Sequence, residues 1–141
     1  MPEKSGKLSP ADRLAIEEMV ALYNVYEDTG VDEAWVDLFT KDGILIGGGG
    51  KAPVTGRDPL LAASRRRWND RPFVRQCAHW VSNLEITPTP DGATAHSYQM
   101  TVAKEGDGYR ISRVSTKIDV LVRENGAWRF QQRRVGEFPL E

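Results

Sequence analysis

The side chains that could carry proton chemistry at neutral pH are few in this sequence: two histidines, His79 and His96, and one cysteine, Cys77. His79 stands in RQCAHWVSN, Arg75 to Asn83, a stretch that reads as the interior of a strand. An imidazole with an ordinary pKa of about 6.5 can accept a proton and return it, so His79 is either a packed structural residue or a general base. His96, in AHSYQM, is its rival. Strand alternation groups His96 with Tyr98, Met100 and Val102 and sets Ala95, Ser97, Gln99 and Thr101 on the other face, without saying which set points inward. For His96 a surface or interface position is expected. A lone cysteine can form neither an internal disulfide nor a thiolate metal site, and no cluster has metal-ligand spacing, so neither metal nor cofactor is expected.

Other candidates are weaker. The run Gly47 to Gly50 tempts a phosphate-loop reading, but no Lys-Ser/Thr follows and it does not open directly into a helix. It reads as a turn. Arg65, Arg66 and Arg67 are consecutive on a helix and point in different directions, which favours a solvated face over one anchor for an anionic substrate. Trp35 and Trp128 are expected in the core. Trp68 and Trp80 could sit at a pocket mouth, where a ring can stack on an aromatic substrate, or could cover a subunit contact.

The elements that must position these residues follow from pattern. Met1 to Leu8 reads as a loose tail, and residues 9 to 141 as one domain. Ser9-Pro10-Ala11-Asp12 is a helix start, Ala15, Ile16, Met19, Val20, Leu22, Tyr23 and Tyr26 recur at helical spacing, and Gly30 supplies the stop. Asp32 is expected to cap a second helix carrying Ala34, Trp35, Leu38 and Phe39 and ending near Lys41-Asp42-Gly43. Ile44 to Ile46 reads as a short strand, and Gly56-Arg57-Asp58-Pro59 leads into a third helix. From Phe73 the texture is β: strands over Phe73–Thr87, Ala93–Lys104, Tyr109–Arg123 and Trp128–Phe138, with turn signals between them. In the third of these strands Val114, Thr116, Ile118, Val120 and Val122 share one face, read as core or oligomer interface, and Arg113, Ser115, Lys117 and Asp119 the other. Helices first and then an antiparallel run argue α+β: a curved, cone-shaped sheet packed against three N-terminal helices, enclosing an apolar interior.

Composition narrows the partners. With 40% hydrophobic and 28% charged residues the chain is ordinary globular material, and a formal net charge of -1 gives no field for nucleic acid or an anionic membrane. A small-molecule substrate is the expected partner. No signal-like or bilayer-spanning run is present, and a reducing, cytoplasmic location is expected.

The order helix, helix, strand, helix, then four strands resembles the SnoaL-like branch of the nuclear transport factor 2-like superfamily. The motifs DRLAIEEMVALY, EDTGVDEAWVDLFTKDG, the Gly-Arg-Asp before the third helix, AHWVSNLEI and the closing NGAWRF carry that resemblance over about Asp12 to Phe138. Within the branch the chain resembles the scytalone dehydratases and hexachlorocyclohexane dehydrochlorinases. The resemblance implies a histidine general base on the first long strand, at His79, oriented by an aspartate near the end of the first helix, at Asp28. It further implies that Tyr23 and Cys77 line the cavity, Tyr23 as a candidate hydrogen-bond donor to substrate. The implied activity is that of a cofactor-independent lyase, removing a proton from carbon with loss of a leaving group, or an isomerase. Its substrate would be compact, largely apolar and aromatic or polyketide-like. Family members are usually dimers or trimers, so a homo-oligomer is implied. The competing expectation is a non-catalytic ligand-binding or assembly module, as in the small subunit of ring-hydroxylating dioxygenases. One conflict stands: on a helical wheel of about 100° per residue, Asp28 falls opposite a stripe centred on Met19 and would face water unless the helix bends.

Overall fold

The computed structural model describes residues 6–47 and 51–139. Helix α1 (Pro10–Thr29) opens with a closed capping box. The Asp12 N–H donates to Ser9 Oγ at 3.0 Å, and the Ser9 N–H to Asp12 Oδ2 at 2.9 Å, satisfying two donors that a helix start leaves unpaired. Gly30, at φ 71°, ends the helix in the left-handed region and donates its N–H to the Tyr26 carbonyl. Of the expected tail, residues 1–5 lie outside the described residues, Gly6 lies against the Thr89 backbone and Leu8 packs on the core.

Helix α2 (Asp32–Val36) is shorter than expected. Leu38 and Phe39 do not continue it, because Phe39 begins strand β1 (Phe39–Ile46), which pairs in parallel with β6 (Ala127–Glu137). Phe130 N–H donates to the Leu38 carbonyl at 2.8 Å, and the Phe39 and Phe130 rings pack at a tilt with centroids 5.6 Å apart. That long-range pairing outweighs the local helical spacing. A two-residue strand β2 (Val54–Thr55) flanks β1, and helix α3 (Arg57–Asp70) follows. The glycine run's Gly48 to Gly50 lie outside the described residues.

The long strands are β3 (Cys77–Thr89), β4 (Gly92–Glu105), β5 (Gly108–Glu124) and β6. Phe73 to Gln76 do not join β3 as expected: Pro72 starts a 3₁₀ turn, seating Val74 in the interior before the strand begins at Cys77. The sheet order is β2-β1-β6-β5-β4-β3, a meander of four strands extended by β1 and β2 at one edge, curved and unclosed.

The helices cover the concave face. Ile16, Met19, Val20 and Tyr23 of α1 pack on Trp35, Phe39, Leu121 and Phe130, and Trp128, as expected, is buried at the edge of this core. Burying such side chains contributes roughly 1.5–3 kcal/mol each. The inward face of β5 is Ser115, Lys117, Asp119 and Leu121, while Val114 and its alternating apolar neighbours lie on the outer face. The core expectation for that apolar face is therefore corrected: the helices cover the polar one. Lys117 and Asp119 can be buried there because partners come with them. Arg133 on β6 grips Asp119 with two parallel hydrogen bonds of 2.7 and 2.8 Å, both side chains being fully buried.

Candidate active site

The end of α1 and the start of β3 converge at one point. Asp28 Oδ2 accepts the backbone N–H of His79 at 2.9 Å, and Asp28 Oδ1 lies 2.5 Å from His79 Nδ1. One carboxylate thus fixes the strand's backbone and the ring together. No bend in α1 is needed, since the helix runs unbroken to Thr29. Two facts remove the conflict with the helical wheel. The buried face is Ile16, Met19, Val20, Tyr23 and Asn24, whose centre lies about 70° from Met19, so that Asp28 is about 110° from it rather than opposite. The edge strand β3 also covers a second side of the helix, which a one-sided wheel does not anticipate.

His79 opens onto a cavity of about 260 Å³ between the helices and the sheet. Tyr23 and Cys77 line it as well. Trp68 does not: its ring lies beneath Gly30, close enough that a Cβ there would stand 2.5 Å from it, and Arg75 stacks on it at 5.2 Å. The ring thus lies against the end of α1 and outside the cavity wall. Trp80 is 59% exposed on β3. His96 is on the outer sheet face, paired across strands with Glu85 and Ile118 and edge-on to Tyr98 at 5.9 Å, away from this cavity.

The cavity wall is far more charged than the expected apolar interior. The three arginines diverge: Arg65 pairs with Asp32 at 2.7 Å on the surface, Arg66 is exposed, and Arg67 turns inward to Glu27 at 3.5 Å and over the Trp35 ring at 5.4 Å. Glu27 Oε1 also stands 3.9 Å from His79 Nε2. Burial pushes the Glu27 carboxyl upward, but Arg67, His79 and Lys117 around it hold it below its ordinary value. Lys117, 1% exposed, donates to Asn24 Oδ1 at 3.1 Å and lies over the Tyr23 ring at 4.5 Å. Burial, aided by the neighbouring Arg133, pushes its ammonium down to about 7.

Two other groups are kept uncharged. Burial raises the Tyr23 phenol well above its usual range, with Glu27 adding to the effect. Burial and then Asp28 raise the Cys77 thiol, which donates to the Phe73 carbonyl at 3.3 Å. Cys77 thus lines the cavity as a protonated thiol, a poor nucleophile.

Glu27 and Lys117 were missed from sequence although the signals existed, and Arg67 was expected on a solvated face, with anchoring of an anionic substrate as its alternative. Glu27 is four residues after Tyr23, on the buried stripe, and Lys117 sits mid-strand in the one strand whose opposite face is apolar. No group of three or more His, Cys, Asp or Glu with metal-holding geometry occurs among the described residues.

A curved sheet capped by three helices around a side cavity defines the nuclear transport factor 2-like, cystatin-like class. Two solved structures of that class share at least a quarter of the sequence. One is a nuclear transport factor 2-like protein with a cystatin-like fold from Novosphingobium aromaticivorans, 26% identical, TM-score 0.83, covering 93% of this chain and 84% of that one. The other, a cystatin-like protein of unknown function from Nostoc punctiforme, is 25% identical with TM-score 0.82, covering 94% and 96%. A candidate scytalone dehydratase from Novosphingobium aromaticivorans shares the fold at 22% identity and TM-score 0.73, covering 89% and 83%. No curated protein matches the chain in sequence. Residues 9–134 match the SnoaL-like domain, and the chain belongs to that family. No described helix is long and apolar enough to cross a membrane.

Proposed function

We propose that this protein is a cofactor-independent lyase of the dehydratase type, or an isomerase, acting on a small aromatic or polyketide-like metabolite with His79 as general acid and base. The observation that carries this reading is the 2.5 Å contact between His79 Nδ1 and Asp28 Oδ1 beside a cavity of about 260 Å³. A carboxylate on Nδ1 keeps the proton there, leaves Nε2 bare toward the cavity and stabilises the imidazolium once Nε2 is protonated.

In an elimination, Nε2 takes a proton from the carbon next to the substrate's carbonyl, and the C–H electron pair becomes the new double bond as the C–O bond breaks. The imidazolium returns its proton to the departing hydroxyl, which leaves as water. In an isomerisation the same proton is returned to a different carbon. Tyr23, kept protonated by its surroundings, is a hydrogen-bond donor available to the carbonyl oxygen, while Phe73, Val74 and Val135 supply apolar walls. The fold shared with a candidate scytalone dehydratase supports the dehydratase form.

The test is turnover of a panel of β-hydroxy carbonyl and hydroxylated aromatic substrates by the wild type and by His79→Ala. Loss of turnover in a variant that keeps its circular dichroism and unfolding midpoint is expected. Equal turnover in both would move the chemistry away from His79.

A further inference from the structure

The cavity's charge is not explained by proton abstraction. Among the described residues its wall carries five basic side chains, Lys51, Arg67, Arg71, Arg113 and Lys117, against one carboxylate, Glu27. Two buried cations have partners: Arg133, behind the wall, is held by Asp119, and Arg67 reaches Glu27. Lys117 has no carboxylate of its own within ion-pair distance among the described residues, and the neutral Asn24 oxygen is the acceptor it reaches. An ammonium has three N–H donors, and a buried cation left this short of acceptors is costly unless something else supplies them. Beside it in the same wall, Ser115 Oγ and Arg67 Nε are buried and unpartnered. With Gln99 Oε1, an unpartnered acceptor in the same wall, they are what remains around a cavity when a polar ligand supplies the missing partners.

We propose that the cavity binds a small organic acid, a substrate bearing an ionised carboxylate or phenolate, and that Lys117 is the cation on which its negative oxygen rests, with Ser115 and Arg67 completing the seat. The proposal rests on the reading of this cavity as the substrate site and adds the class of substrate. It also gives the lysine a part in the reaction: an anionic oxygen held there stays fixed while charge develops during proton removal.

The groups facing Lys117 are Tyr23, Glu27 and Asp28 of α1, Asp119 of β5 and Arg133 of β6. A bound anion adds to the attraction of the three carboxylates and opposes Arg133 and burial, so it draws a proton onto the amine.

Isothermal titration of the full chain with benzoate and with uncharged benzamide tests the site without any turnover. Benzoate is expected to bind at least roughly tenfold more tightly at neutral pH, as one charge-assisted hydrogen bond provides. Lys117→Met should abolish that preference. A measurement that needs no lysine variant is proton uptake in the His79→Ala protein: with the free amine pushed down to about 7, benzoate binding at about pH 8 should take up close to one proton. Equal affinity for the two probes, absence of benzoate binding, retention of the preference in Lys117→Met, or no proton uptake would each overturn the proposal. These outcomes are independent of the proposed reaction, which fails instead if His79→Ala leaves turnover unchanged.

Discussion

Glu27 Oε1 lies 3.9 Å from His79 Nε2, while its chain neighbour Asp28 holds Nδ1 of the same ring. Successive residues of a helix diverge by about 100°, so two adjacent carboxylates can reach the two sides of one imidazole only when the ring stands against the helix's flank. The consequence for Glu27 is testable. Among the described residues it is the one carboxylate in the cavity wall, and Glu27→Gln leaves the described wall cationic or neutral. Because Glu27 also helps Lys117 keep its proton, the comparison belongs at about pH 6, where benzoate affinity should rise by roughly three- to tenfold, with the rise shrinking as salt is added, measured by titration at two ionic strengths.

Asp28→Asn is expected to keep the fold and lower kcat by roughly a thousandfold or more, with KM little changed. An amide can hold the ring but no longer fixes the tautomer or stabilises the imidazolium. A fall confined to KM would mean that Asp28 positions substrate rather than His79.

Stability should depend on pH through Lys117. The lysine of the unfolded chain keeps its proton up to about 10.4, whereas burial in the folded state pushes it down to about 7. Between those values the unfolded state binds more protons, so this residue's penalty is complete below about pH 7 and is relieved as pH rises. The urea midpoint of wild type minus that of Lys117→Met should therefore climb from about pH 7 to pH 9. A flat or falling difference would show that the amine is not desolvated.

Much of this architecture was legible in the sequence because its signals are local. Ser9-Pro10-Ala11-Asp12, Gly30 and the turns before Gly92, Gly108 and Gly126 each specify a terminus through capping or turn chemistry, and the elements follow them within a few residues. Phe39 was misplaced because its helical spacing competes with a parallel pairing to Phe130, more than ninety residues away. The apolar face of β5 was ambiguous because period-two alternation gives two faces and no direction. Only the helices, by covering Ser115, Lys117 and Asp119, decide it. Asp28 was reachable by family resemblance and not by its wheel position, since the covering strand β3 is remote in sequence.

Gly30→Ala should act on both stability and catalysis. At φ 71° a side chain is strained, and its Cβ would stand 2.5 Å from the Trp68 ring. A loss of at least about 1 kcal/mol is expected from the backbone alone. Because Gly30 follows Asp28 by two residues, any shift of the helix end should also lower kcat. Urea unfolding and kinetics on the same preparation check both effects.

The most direct measurement of the dyad is the tautomer of His79, read from a long-range proton–nitrogen correlation spectrum of the wild type at about pH 8, above the ordinary imidazole range. A protonated Nδ1 and a bare Nε2 are predicted, with the pattern lost or mixed in Asp28→Asn. An Nε2–H tautomer in the wild type would contradict the assignment of His79 as a base facing the cavity.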